Sequence, residues 1–107
     1  MKVYLDDVRQ APEGWVRTYT VAETIELLKT GEVVELSLDH DLAPEHYAGQ
    51  LDSRTGYAVV AWIRDRVRET PVFRVPKMTV HSMNPVGREH MLRTIAEIIE
   101  FVGRGYR

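Results

Sequence analysis

The sequence predicts an α/β fold built on a short, mainly parallel four-stranded sheet with helices on both faces. Three observations carry this. Four short runs have strand character, helical apolar periodicity fills the spaces between them, and three of the runs stop abruptly at polar clusters. Short apolar runs of this kind are typical of buried parallel strands.

The first run, Lys2-Val3-Tyr4-Leu5, ends in Asp6-Asp7. Residues 10–14 carry the proline and glycine of a turn. Residues 15–19 alternate and are rich in aromatic and β-branched types, which predicts a second strand. Thr20-Val21-Ala22-Glu23 is a capping box, in which hydroxyl and carboxylate satisfy free amides of a first helical turn. Val21, Ile25 and Leu28 then share one helical face, and Gly31 stops the helix. Residues 32–38 read as a third strand, ending in Asp39-His40-Asp41.

Residues 42–56 are polar, hold Pro44, Gly49 and Gly56, and show no periodicity. So long a connection in so small a domain predicts a flap or binding loop. A helix follows from Tyr57, with Val59, Val60, Ile63 and Val67 on one side, until Pro71 forces its end. Lys77-Met78-Thr79-Val80 is the last strand and runs into His81-Ser82-Met83-Asn84-Pro85. A final helix after Val86-Gly87 aligns Met91, Ile95, Ile98 and Val102, and Gly103 ends it. Trp15 and Trp62 are expected in the core.

The 107 residues suit one domain, residues 1–107, and 44% hydrophobic content is enough for a core. The absence of cysteine excludes disulfides, thiolate metal sites and cysteine nucleophiles. No run approaches the roughly 20 apolar residues of a membrane span and no secretory signal is visible, so a cytoplasmic protein is expected. The net charge of −2 gives no overall basic field for duplex DNA.

Strand–helix–strand units cross over right-handed and give parallel sheets, and ligands bind beyond the carboxyl ends of such strands. All three polar clusters are therefore expected at one edge. Asp6, Asp7, Asp39 and Asp41 would repel one another there unless a cation or a proton intervened. A hard divalent ion, Mg²⁺ or Mn²⁺, takes carboxylate and water oxygens, which makes Asp6, Asp7 and Asp39 candidate ligands. His40 and His81 are candidate general acid and base for a phosphodiester, histidine being the usual group for that work. Ser82, Asn84 and Arg88, at the start of the last helix, and Arg9, after the Asp-Asp pair, are candidate phosphate binders. Each has an ordinary alternative: capping for Ser82 and Asn84, solvation for Arg88, and pairing with Asp6 or Asp7 for Arg9. Tyr47 in the long loop, and His46 and His90, carry no assignment.

The residues Leu5-Asp6-Asp7-Val8-Arg9, with 11–15, Ser37-Leu38-Asp39-His40-Asp41-Leu42 and His81-Ser82-Met83-Asn84-Pro85-Val86-Gly87, together resemble the cyclic-phosphate processing receiver domain family. The resemblance spans nearly the whole chain. It implies a receiver-like (flavodoxin-like) three-layer sandwich. The sheet would be truncated, because the first connection is too short for a full helix and the chain ends before a fifth strand and its lysine. In ordinary receivers the acidic pair binds Mg²⁺, an aspartate in the place of Asp39 accepts a phosphoryl group, and a hydroxyl in the place of Ser82 contacts it.

The added His40, Asp41 and His81 point away from phospho-relay and toward metal-assisted hydrolysis of a cyclic phosphate, in a cyclic nucleotide or at an RNA 2′,3′-cyclic end. In that reading Asp41 orients a histidine or joins the metal shell, and the partner is a small phosphorylated ligand or a nucleic-acid end. Two rivals remain. One is a non-catalytic receiver-like module that senses a nucleotide or docks a partner. The other is an aspartate-based phosphatase, suggested by Asp39-x-Asp41 after an apolar strand but placed mid-chain rather than at its start.

Overall fold

The computed structural model describes residues 1–41, 55–70 and 72–104. The expected loop of residues 42–56, with His46 and Tyr47, lies outside them except for Thr55 and Gly56, and so does Pro71. The chain runs β1 (Lys2–Leu5), β2 (Val16–Thr18), α1 (Val21–Leu28), β3 (Glu35–Leu38), α2 (Tyr57–Glu69), β4 (Lys77–Val80) and α3 (Pro85–Gly103). β2 and β3 are shorter than the residue patterns suggest, and α3 starts at Pro85 because Asn84 caps it. No described helix is long and apolar enough to cross a membrane.

The four strands form one parallel sheet in the order β2-β1-β3-β4. Register explains the packing. Val3 pairs with Leu36 and Leu36 with Met78, while Leu5 pairs with Leu38 and Leu38 with Val80. Side chains alternate along a strand, so these residues share one face. On that face Val59, Val60 and Ile63 of α2 and Met91, Ile95 and Ile98 of α3 complete the core with Val3, Leu5, Leu36 and Leu38. A fully buried aliphatic side chain of this kind stabilises the fold by roughly 1.5–3 kcal/mol relative to exposure. The Thr20 half of the capping box forms as expected, while Glu23 reaches one residue further back, to the residue before the cap. Thr20 accepts from the Glu23 amide at 3.1 Å, and Glu23 accepts from the Tyr19 amide at 3.1 Å.

The helical cover is one-sided. α1 packs on α2 and α2 on α3, so the three helices form a single layer. The opposite face carries Tyr4, Arg17, Ser37 and Thr79, none of which belongs to the core cluster. The second helical layer expected from the sequence is not present among the described residues. The reason is connectivity: Asp6–Trp15 joins β1 to β2 without a helix. Trp15 accordingly lies outside the core, against Tyr4, whereas Trp62 packs on the core as expected.

Gly56 fixes how α2 meets the sheet. Its amide donates to the His40 carbonyl at 2.9 Å, and a Cβ added there would lie 1.8 Å from the Asp39 carbonyl oxygen. A side chain must push α2 away from the end of β3. Gly56→Ala is therefore expected to destabilise the protein by roughly 1–3 kcal/mol, read as the midpoint shift in urea unfolding. An unchanged midpoint would mean that α2 backs away at no cost.

Candidate functional site

The sheet ladder continues one residue past three strands. The amide of Asp6 donates to Thr18 at 3.1 Å, that of Asp39 to Leu5 at 3.0 Å, and that of His81 to Leu38 at 2.9 Å. Asp6, Asp39 and His81 thus stand side by side across β1, β3 and β4. Each follows a core-facing residue, so all three point toward the uncovered face. Their candidate ligand atoms lie within 4.8 Å of one another.

Asp6 is fully buried and fully engaged. One carboxylate oxygen accepts from the amides of Val8 and Arg9, both at 2.8 Å. The other accepts from the Arg9 guanidinium and from His81 Nε2, both at 3.1 Å. Burial alone would raise its pKa. The two amides, then His81 and the Arg9 charge, outweigh burial and hold it below the usual value. The Asp6 carbonyl also accepts from Arg17 Nε at 3.0 Å.

His81 is held on every side. A carboxylate only accepts, so Nε2 carries the proton shared with Asp6, and Nδ1 faces the Ser37 hydroxyl at 2.7 Å. The ring lies flat on Tyr4, with centroids 4.3 Å apart and planes 2° from parallel. No ring nitrogen is left over.

Asp39 is in a different state. Burial, followed by the nearby charge of Asp6, raises its pKa against the opposing bond from the His40 amide. Asp6, Val8, Arg9, Asp39, Asp41 and Met83 line a cleft of about 230 Å³.

His40 belongs to a second cluster. Its side chain turns to the other side of the strand end, against the first turn of α3. A Cβ on Gly87 would meet its ring at 2.5 Å, so only glycine admits the ring there. His40 Nδ1 donates to Asp41 at 2.9 Å, and the same Asp41 oxygen accepts from Asn84 Nδ2 at 3.3 Å. A neutral His40 so oriented keeps a lone pair on Nε2.

The helix start is occupied by its own caps. Asn84 accepts from the Gly87 amide at 3.0 Å, and Ser82 accepts from the Asn84 amide at 3.1 Å. Arg88 is exposed and its amide closes the first helical turn, away from the cleft lining. Asp7 is partly buried and is not in the three-residue cluster. Of the expected site residues, then, Asp6, Arg9, Asp39 and Asp41 meet at the cleft, His81 lies beneath it, and His40 and Asn84 stand behind Asp41. Sequence reading missed Tyr4, Arg17 and Ser37, which hold His81 and Asp6. Their signal was polarity inside otherwise apolar strands, as in Leu36-Ser37-Leu38.

The expected Mg²⁺ or Mn²⁺ can be tested against the donor set. Carboxylates are the right chemistry, but a carboxylate offers about four lone-pair sites and Asp6 has filled four. As arranged, Asp6 and His81 do not fit a directly bound cation.

A comparison with protein families settles the class. The model for the cyclic-phosphate processing receiver domain matches residues 1–97. The chain belongs to this family. Neither the curated proteins nor the solved structures compared with it give a match. This receiver domain keeps the four-stranded parallel sheet and three helices of a compact receiver-like fold, and the family associates it with cyclic-phosphate processing.

The opposite shifts of Asp6 and Asp39 make a stability prediction. Asp39 has a raised folded-state pKa, so ionising it costs stability as pH climbs past its unfolded value, and the cost grows until pH passes the folded value. Asp39→Asn removes that cost. Its melting temperature is expected above wild type at neutral pH, with the gap closing near about pH 3 to 4. Asp6 has the reverse sign: its contribution is present above the unfolded value and is lost as pH falls through the lower folded value. Asp6→Asn should therefore melt lower at neutral pH. Equal melting curves for wild type and Asp39→Asn across this range would refute the assignment.

Proposed function

We propose that this receiver domain hydrolyses a cyclic phosphodiester bound in the cleft between the ends of β1 and β3. The observation that carries the reading is the division between two carboxylates: Asp6 saturated and ionised, Asp39 beside it with raised proton affinity. Two carboxyls whose environments push them apart are suited to separate roles.

In the proposed reaction the exposed side of the Arg9 guanidinium takes a phosphate oxygen. Asp41, which lines the cleft and whose Oδ1 is held by His40 Nδ1 and Asn84 Nδ2, receives a proton from the attacking water. The water oxygen bonds to phosphorus, one ring P–O bond breaks, and protonated Asp39 supplies the proton to the leaving oxygen. The product is a phosphomonoester. His81 is a positioning residue that holds Asp6 and thereby Arg9. Ser82 and Asn84 fix the helix start that supports Asp41 and His40.

The filled valences of Asp6 and His81 favour one second reading, a receiver-like module that binds a phosphorylated ligand without turnover.

The experiment is ring opening of 2′,3′- and 3′,5′-cyclic nucleotides, each with Mg²⁺, with Mn²⁺ and with EDTA. Turnover is expected to fall roughly 10²- to 10⁴-fold in Asp41→Asn and Asp39→Asn, with folding confirmed by circular dichroism. His40→Ala, which removes the hydrogen bond that positions Asp41, should lower kcat more than it changes KM. A folded protein that opens no ring under any of these conditions, yet is thermally stabilised by a cyclic nucleotide, would leave the binding module in place of the enzyme.

A further inference from the structure

Parallel sheets are almost always covered on both faces, and among the described residues this one is covered on one. The residues of the bare face follow from register: Lys2, Tyr4 and Arg17 on β1 and β2, Glu35 and Ser37 on β3, Lys77 and Thr79 on β4. A packed helix requires an apolar surface, and only Tyr4 here is even partly apolar. Along the strands three cations, Lys2, Arg17 and Lys77, stand against one acid, Glu35, and the two further acids of this face, Asp6 and Asp39, lie at its cleft end. Aromatic rings border the cations. Tyr4 meets Trp15 edge to face at 6.3 Å, the Lys2 ammonium lies 5.7 Å from the Trp15 ring, and Arg17 lies 4.3 Å from the ring of the exposed Tyr19. Cations that meet phosphates, interleaved with rings that accept base stacking, form the platform on which single strands bind.

The bare face also runs into the cleft. Asp6, Asp39 and His81 point toward it, and the His81 ring joins the two by stacking on Tyr4 while bonding Asp6. We propose that the uncovered sheet face binds a single-stranded nucleic acid chain whose terminal phosphate lies at the cleft. The substrate class is then an oligonucleotide end rather than a free mononucleotide. This rests on the proposed function for the terminal group only; the surface itself follows from the sheet.

The test is fluorescence anisotropy with labelled single-stranded RNA and DNA oligonucleotides bearing a 3′-phosphate, against the same strands in duplex and against a second copy of the protein. The variant is Lys2→Glu with Lys77→Glu, at the strand ends remote from the cleft. Single strands are expected to bind more tightly than 3′-mononucleotide. The double variant should weaken that binding about tenfold or more, with a shallower salt dependence, and leave cyclic mononucleotide turnover unchanged. In a Trp62→Phe background the remaining Trp15 emission should quench with oligonucleotide and not with inorganic phosphate. An oligonucleotide that binds no better than the mononucleotide, an affinity indifferent to the charge reversal, or a dimer that the reversal dissociates would each overturn the proposal. Oligonucleotide binding without ring opening would sink the enzymatic reading and keep the surface.

Discussion

The structure at the strand ends depends on the satisfaction of one buried carboxylate. Asp6 has no exposed surface, and an ionised group in that position needs a donor for each lone pair. The amides of Val8 and Arg9 supply two by folding the first connection back over the end of β1. This is why a stretch without a helix can still be ordered where it leaves the strand. The Arg9 side chain supplies the third donor and His81 the fourth, tying β4 to β1 across β3. Removing either donor would leave a buried charge under-satisfied, so Arg9 and His81 hold their places as a consequence of Asp6.

Asp39 is what that arrangement leaves over. The donors converge on Asp6, so its neighbour on β3 meets the cost of burial, and then the repulsion of Asp6, without equal compensation, and its proton affinity rises. Backbone approach then fixes the rest. The Asp39 carbonyl presses against Gly56 and the His40 ring against Gly87, which seats the end of β3 between the first turns of α2 and α3. Two glycines at helix starts thereby set where a carboxyl and an imidazole sit, although neither glycine bears a reactive group.

Much of this was legible in the sequence because strand chemistry is local. Apolar runs that end in Asp6-Asp7, Asp39-His40-Asp41 and His81-Ser82 marked both the strands and the edge at which ligands are expected, and Thr20 with Glu23 marked the start of α1. The sides of the sheet were harder to read. The side-chain period is 2, so consecutive residues Asp39 and His40 must diverge, and His40 cannot face the same space as His81. The pattern Leu38-Asp39-His40 contained that fact, but pairing the histidines required assuming that both turned inward. Saturation of Asp6 was illegible, since it depends on four donors spread from Val8 to His81. The lack of a second helical layer among the described residues was half legible: the short connection after β1 announced it, while Tyr4, Ser37 and Thr79 identified the uncovered face only once register was known.

Under the proposed reaction, the raised proton affinity of Asp39 couples to the ligand. A phosphate anion entering the cleft adds negative charge beside Asp39, which favours its protonated form further. Linkage is reciprocal, so protonated Asp39 must in turn favour the phosphate. Asp6 does not respond in the same way, because its four donors already stabilise the charge. The site thus separates a fixed anion, which organises Arg9 for the phosphate, from a responsive carboxyl, which gains its proton as the phosphate arrives. A pair of equivalent aspartates would lack that asymmetry, and here it originates in which of two adjacent strands the first connection folds back upon.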